Sequence, residues 1–215
     1  MGFNLSTFNK SKIQNQASLF IDDSEPIKRS HRRKSELHIR SNKHIYKRAH
    51  SELQLLNILN DEKLKIDHCY DFITSGDIDS LSYLNLALRT FPKLDYLLFS
   101  TWCMSGEDIL YLFELVENGT IKTMDAYLGE IFPNQYKVEW QMINDLYAKH
   151  KCGKVVVFKN HSKIYAGFDD KGQGFSIQTS ANINTNPRTE NGSINVTTES
   201  AQFYKYYFDG INSFI

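Results

Sequence analysis

Between residues 63 and 150 the hydrophobic rhythm of the chain alternates between two periods, and that alternation limits the fold more than any other feature. KLKIDHCYDFI (63–73) reads as a strand. Asp77 to Leu88 reads as a helix with Ile78, Leu81, Leu84 and Leu88 on one face. Leu94 to Cys103, containing DYLLFSTWC, is a second strand. Ser105 is placed to cap the next helix, and Glu107 and Asp108 suit its positive end. That helix runs through ILYLFELVEN and stops at Gly119, a residue type that favours a helix C-terminus. IKTMDAYLG (121–129) is a strand, and PNQYKVEWQMINDLYAKH (133–150) reads as one amphipathic helix. Such a β-α-β-α-β-α order argues for a largely parallel sheet with helices packed on it.

The rhythm then changes. KVVVF (154–158), SKIYAGF (162–168) and GFSIQTSAN (174–182) are expected to be consecutive strands, with DDKGQG (169–174) as a turn and SINVTT (193–198) as a further strand. ESAQFYKYYFDGINSF closes the chain as an aromatic-rich helix. Its Phe203, Tyr206, Tyr207 and Phe214 suit core packing better than a stacking platform. The fold class is therefore α/β, with a mixed, largely parallel sheet flanked by helices.

Residues 1–42 read differently. They are polar, include SEPIKRSHRRKSELHIRSN, and carry no sustained apolar period, so they form a basic, flexible arm ahead of a domain at 43–215. HIYKRAHSELQLLNILN, from about residue 44, has helical spacing with Ile45, Ala49, Leu53 and Leu56 on one face. Net charge is zero but unevenly spread. Residues 1–60 hold 11 Lys and Arg against 5 Asp and Glu, while residues 61–215 hold 14 against 20. An arm carrying Lys28, Arg29, Arg32, Arg33 and Lys34 suits the phosphates of a nucleic acid without base readout. It suits equally the acidic body of its own chain or of a second subunit.

No apolar run approaches the roughly 18 residues of a membrane span, and the N-terminus shows no secretory apolar region. Met1-Gly2 with Ser6 fits the short myristoylation pattern, and nothing else points to a membrane. Cys69, Cys103 and Cys152 are odd in number and widely spaced. They argue against a disulfide framework or a zinc site and for a reducing, cytoplasmic setting. No metal or cofactor is expected.

Chemistry concentrates between His161 and Glu190. Alternate residues of a strand point the same way, so His161 and Lys163 share a face opposite Ser162, and Ser180 and Asn182 share a face on the following strand. If the two strands pair, these four side chains converge. Lysine supplies a compact cation, and serine and asparagine supply neutral donors, which suits a phosphate. Histidine can attack or carry a proton near neutral pH. Glu190 can hold a histidine in its required tautomer. Ser100, Thr101 and Trp102 end a strand and can line the cleft. Asp125 and Glu130 suit solvated positions better than the site.

HSK (161–163), TSANIN (179–184) and PRTEN (187–191), in that order, resemble the phospholipase D superfamily, and the resemblance covers about residues 94–212. It is closest in pattern to small single-motif members of phage and bacterial genomes. The resemblance implies metal-independent phosphodiester cleavage. His161 would attack phosphorus or protonate the leaving group, Lys163 and Asn182 would bind the non-bridging oxygens, Ser180 would line the phosphate pocket, and Glu190 would hydrogen-bond a histidine. The motif departs from the family's in three ways. Phe168 stands where an aspartate usually follows the lysine, with Asp169 and Asp170 in the turn beyond. Thr179 stands where glycine is common, and the spacer between the two strands is longer than in compact members. Neither His31-Arg32-Arg33 nor His38-Ile39-Arg40 is followed by a Ser-x-Asn strand, so one motif is present. Two histidines are needed, which implies a two-fold homodimer across one phosphate. The expected function is a nuclease on DNA or RNA. The alternatives are an inactive nucleic-acid-binding or structural protein of the same fold, and a phospholipase or other phosphodiesterase.

Overall fold

The computed structural model describes residues 43–60, 63–184 and 188–213. The arm at 1–42, with Lys28, Arg29, Arg32, Arg33 and Lys34, and Phe214 lie outside them. The elements in chain order are α1 (Lys43–Ile58), β1 (Cys69–Thr74), α2 (Ser80–Thr90), β2 (Leu94–Thr101), α3 (Gly106–Glu117), β3 (Ile121–Gly129), α4 (Phe132–Gln135), α5 (Lys137–His150), β4 (Val155–Phe158), β5 (Ile164–Phe168), β6 (Gly174–Thr179), β7 (Glu190–Asn195) and α6 (Thr198–Asp209). The strands form one seven-stranded sheet in the order β1-β7-β6-β5-β2-β3-β4.

The sheet is mixed and flanked by helices, as expected, but its balance differs. Only β2–β3 and β3–β4 are parallel, and the other four pairings are antiparallel. The alternating rhythm put β1 among the strands of a largely parallel sheet. Instead β1 lies at the far edge, antiparallel to β7. A one-sided edge strand needs only a half-buried pattern, which β1 has, and its partner cannot be read from its own residues.

Alternation along the central strands feeds two cores. Leu97 and Phe99 of β2, Met124, Ala126 and Leu128 of β3, and Tyr165 of β5 pack in the larger core, with the buried residues of α2, α3 and α5. Leu98, Tyr127, Val156, Ile164 and Ala166 face the other way and are covered by Ala201 and Phe208 of α6. The helix starts follow their caps. Asp79 accepts from the Ser82 amide at 3.0 Å, and Ser105 from the Asp108 amide at 3.2 Å, as its position predicted. Gly119 follows α3 with φ of 75°, a conformation that glycine adopts without strain.

Three local expectations are corrected. The strand expected at 63–73 begins only at Cys69, because Asp67 turns the chain with a positive φ. The helix expected at 133–150 is broken at Tyr136 (φ −115°, ψ 54°) into α4 and α5. The apolar face proposed for α1 is not its buried face, since Ala49 and Leu53 are exposed and Arg48, Ser51 and Leu55 are buried. Electrostatics override hydrophobic spacing here. The Arg48 guanidinium ion-pairs with Asp108, in the first turn of α3, and lies 3.6 Å from the cap residue Asp79 of α2. It also sits 4.4 Å over the Tyr111 ring. Ser51 donates to the Asp77 carbonyl at 2.6 Å. Among the described residues, no helix is long and apolar enough to cross a membrane.

Arg48→Met keeps most of the packing and removes the shared cation from two buried carboxylates. Unfolding free energy should fall by about 3–5 kcal/mol, the usual consequence of breaking a buried ion pair from one side. Urea unfolding followed by circular dichroism measures it, and an unchanged midpoint would show that α1 is held by apolar contact alone.

Candidate active site

The C-terminal ends of the parallel strands β2, β3 and β4 lie along one edge of the sheet, and the segment 159–163 crosses that edge from β4 into β5. Asn160 fixes it there. Its amide nitrogen donates to Ser100 Oγ and to the Tyr127 carbonyl, both at 2.9 Å. Its Oδ1 accepts from the Ser162 amide at 2.9 Å and from the Ser162 hydroxyl at 2.6 Å. Its own amide donates to Glu130 Oε2 at 3.2 Å. Asn160 is buried, so these bonds are made out of water, where losing one leaves an unsatisfied group. The sequence reading did not single out Asn160. The signal that could have found it is a polar residue immediately after a buried strand and immediately before the His-x-Lys.

Held this way, His161 is exposed and Lys163 is buried. The Lys163 ammonium donates to the His161 carbonyl at 2.6 Å and lies 3.0 Å from His161 Nδ1. The Trp102 ring packs against the His161 ring with centroids 5.3 Å apart. Gly129 makes room for this contact, because a Cβ there would stand 2.7 Å from the Trp102 ring and 3.0 Å from the Asn160 carbonyl. Ser100 and Trp102 therefore line the site, as expected. Asp125 does not reach solvent as expected. It is buried, accepting from Tyr96 at 2.9 Å and from the Lys154 amide at 3.0 Å. Glu130 holds the Asn160 amide.

On the neighbouring strands the Thr179 amide donates to the Lys163 carbonyl at 3.1 Å, which carries the β5–β6 ladder up to the site. Just beyond, Ser180 hydrogen-bonds Glu190 side chain to side chain and accepts from the Asn191 amide at 3.0 Å. The Ser180 proton is thus directed at Glu190. Asn182 is held between the bond from the Ala181 amide to Thr179 Oγ1 and the bridge from Ile183 to Met104, and its buried Oδ1 has no hydrogen-bond partner among the described residues. A half-turn of the amide would present Nδ2, a donor, at the same place. Burial lowers the Lys163 pKa, and the neighbouring Cys103 and Glu190 pull it partly back. Burial raises the Cys103 thiol, against the opposing pull of Tyr136 and Lys163. The structure thus joins His161 to Lys163 and Ser180 to Glu190, and couples the two pairs through the charges of Lys163 and Glu190. Asp169 is not part of the set. Its carboxylate accepts from the Lys171 and Gln173 amides in the β5–β6 turn, at the opposite end of β5 from Lys163.

No family model and no curated protein matches the chain. Solved structures do. A polyphosphate kinase from Porphyromonas gingivalis superposes with a TM-score of 0.50 at 10% identity, over 65% of this chain and 25% of that one. A phosphatidylserine synthase from Haemophilus influenzae gives 0.46 at 14% identity, over 65% and 37%. A yeast tyrosyl-DNA phosphodiesterase gives 0.35 at 13% identity, over 47% and 25%. The latter two are too distant to carry a conclusion. The likeness is one of fold. This chain shares with that kinase a mixed α/β sheet flanked by helices, and it spans about a quarter of the kinase's length.

A buried ammonium facing an exposed histidine suits an anion, and burial works against the ammonium's charge. Its charged form is the one that burial penalises. Between the depressed folded pKa and the ordinary value of 10.5 the unfolded chain binds more protons, so wild-type stability should rise with pH through that window. Lys163→Met should melt a few degrees higher than wild type at pH 7, with the gap closing as pH approaches 10.5. Inorganic phosphate should raise the melting temperature of wild type and not of the variant. A variant that melts lower at pH 7 would mean that the bonds of Lys163 to His161 outweigh its burial.

Asn160→Ala should free the segment that carries His161. Amide exchange at Ser162 should accelerate, and unfolding free energy should fall by about 1–3 kcal/mol, while exchange in β2 and β3 stays slow. Exchange at Ser162 as slow as in wild type would mean that the β5 ladder alone holds the segment.

Proposed function

We propose that this chain is a metal-independent phosphodiesterase, a nuclease on DNA or RNA that works through a phosphohistidine and whose site is completed by a second copy of the chain. The observation that carries this reading is the exposed His161 ring held against the buried Lys163 ammonium, with the Ser180–Glu190 pair on the adjoining strands. The fold shared with a polyphosphate kinase, by its name an enzyme of phosphoryl transfer, agrees with that class.

In the first step an unprotonated His161 nitrogen attacks phosphorus. A P–N bond forms, the bond to the leaving oxygen breaks, and that oxygen takes a proton from the second histidine. In the next step water attacks the phosphohistidine, gives its proton to the second histidine, and releases His161. Lys163 and the Asn182 amide would hold the non-bridging oxygens, where charge grows in the transition state. Glu190, set by Ser180, would orient a protonated imidazole. One chain has one such histidine, so the second comes from a two-fold mate. The substrate class rests on charge, with 11 basic against 5 acidic residues in 1–60.

A second reading is a nucleic-acid-binding or structural protein that keeps the site without turnover. It is favoured by Asp169, whose carboxylate is committed to the turn.

His161→Ala should lower cleavage of a single-stranded oligonucleotide or a chromogenic diester, assayed with chelator, at least about a thousandfold. The far-ultraviolet circular dichroism should not change. Activity that survives the substitution removes His161 from the reaction. A wild type that binds oligonucleotide with steep salt dependence and cleaves nothing leaves the binding reading.

A further inference from the structure

Three of the aromatics expected in the core do not pack there. Phe203, Tyr206 and Tyr207 of α6 are 67%, 87% and 59% exposed, whereas Phe208 between them and the sheet is buried. The helix turns its Ala201–Phe208 side to the sheet and leaves an aromatic side outward. That side meets the segment 159–163. Phe158, Lys159, Asn160, His161, Ser162 and Ile164 form one wall of a cavity of about 350 Å³, and Phe203, Tyr204, Tyr207 and Phe208 form the other.

The two most exposed rings lining it are held by fixed neighbours. Phe203 meets Tyr204 edge to face at 5.2 Å, and the Tyr204 hydroxyl donates to Gln178 at 2.7 Å. Tyr207 meets Phe208 edge to face at 5.3 Å, and Phe208 is packed against Tyr127 at 4.7 Å. Phe203 and Tyr207 are four residues apart, hence on one side of the helix. His161 borders both this cavity and the Lys163 side.

We propose that this cavity is a stacking subsite for a nucleobase adjoining the phosphate that His161 attacks. It rests on the phosphodiesterase reading above. Five of its ten lining residues are aromatic and only Ile164 is aliphatic, which suits the flat face of a base rather than an acyl chain. The volume suits one base with its sugar and is small for a long chain. Lys159 stands on the wall beside His161, where a next phosphate would run.

The test is binding, which does not depend on turnover. A single-stranded oligonucleotide carrying the fluorescent base 2-aminopurine is titrated with the full chain, alongside the same oligonucleotide with an abasic position. Wild type should quench the base and bind it more tightly than the abasic strand. Phe203→Ala with Tyr207→Ala should weaken binding of the base-bearing strand about tenfold and leave the abasic strand unaffected. The thermal shift by inorganic phosphate should not change. Equal binding of both strands by wild type, or unchanged quenching in the double variant, overturns the subsite. So does a double variant that turns a dimer into a monomer with quenching per protomer retained, which assigns the face to a second copy. A short-chain phospholipid that displaces the oligonucleotide from wild type and not from the variant assigns it to acyl chains, and likewise overturns it. Failure of the enzymatic reading is seen separately, as persistence of cleavage in His161→Ala or its absence in wild type.

Discussion

The seam between β2 and its two unlike neighbours sets everything at the site. β2 runs parallel to β3 and antiparallel to β5, and its last antiparallel pair is Ser100 with Ile164. A chain leaving β4 at the carboxyl edge must therefore turn back across the ends of β2 and β3 to enter β5. The five residues that make this crossing are 159–163. Their backbone has few ladder partners, so side chains supply them. Asn160 bonds to β2 through Ser100 and to β3 through Tyr127, and Ser162 closes the set on Ser100 at 2.6 Å. The crossing segment is thereby tied to β2 and β3 while its histidine stays exposed. An exposed reactive ring on a rigid base is what phosphoryl transfer asks of a protein scaffold.

The same crossing explains why Lys163 is buried. It is the last residue before β5, and its carbonyl already accepts from Thr179. Its side chain must follow the pleat toward the face that carries Cys103 and Tyr165, and only the ammonium doubles back to His161. A cation placed there loses solvation that Glu190 and the histidine replace only in part, since the carboxylate is shared with Ser180. A bound phosphate would restore the missing charge. A cation desolvated beside an exposed histidine is a pattern that functional sites share with some structural ion-pair networks.

The residues of the site were legible because their chemistry is local. His161 and Lys163 are two apart, Ser180 and Glu190 follow in order, and a strand pair brings them together whatever the rest of the chain does. The cap Ser105 and the bounds of β3 were readable for the same reason, and β2 starts where expected but ends at Thr101 rather than Cys103. What was not legible depends on distant partners. β1 pairs with β7 across more than 100 residues, and nothing in CYDFIT names that partner. The buried side of α1 is chosen by Asp79 and Asp108, acids on two other helices, so hydrophobic spacing alone pointed to Ala49 and Leu53 and missed it. The aromatics of α6 were assigned to the core because aromatic residues usually go there. Sequence could not show that α6 turns its Ala201–Phe208 side to the sheet and leaves Phe203, Tyr206 and Tyr207 outward. Asn160 escaped notice because its importance lies in bonds to Ser100 and Tyr127, which are near only in the fold.

Symmetry links the one histidine to the aromatic cavity. If two chains meet about a two-fold axis through the attacked phosphorus, the two His161 rings face each other across it, and each brings its own cavity to one side of the phosphate. A nucleic-acid phosphodiester has a nucleoside on each side, so two equivalent stacking surfaces would each find a base. A phospholipid diester has bulky acyl chains on one side and a compact head group on the other, and would leave one aromatic cavity unmatched. In the proposed dimer, one such histidine and one aromatic cavity per chain would suit nucleic acid better than lipid, independently of the charge in the N-terminal arm.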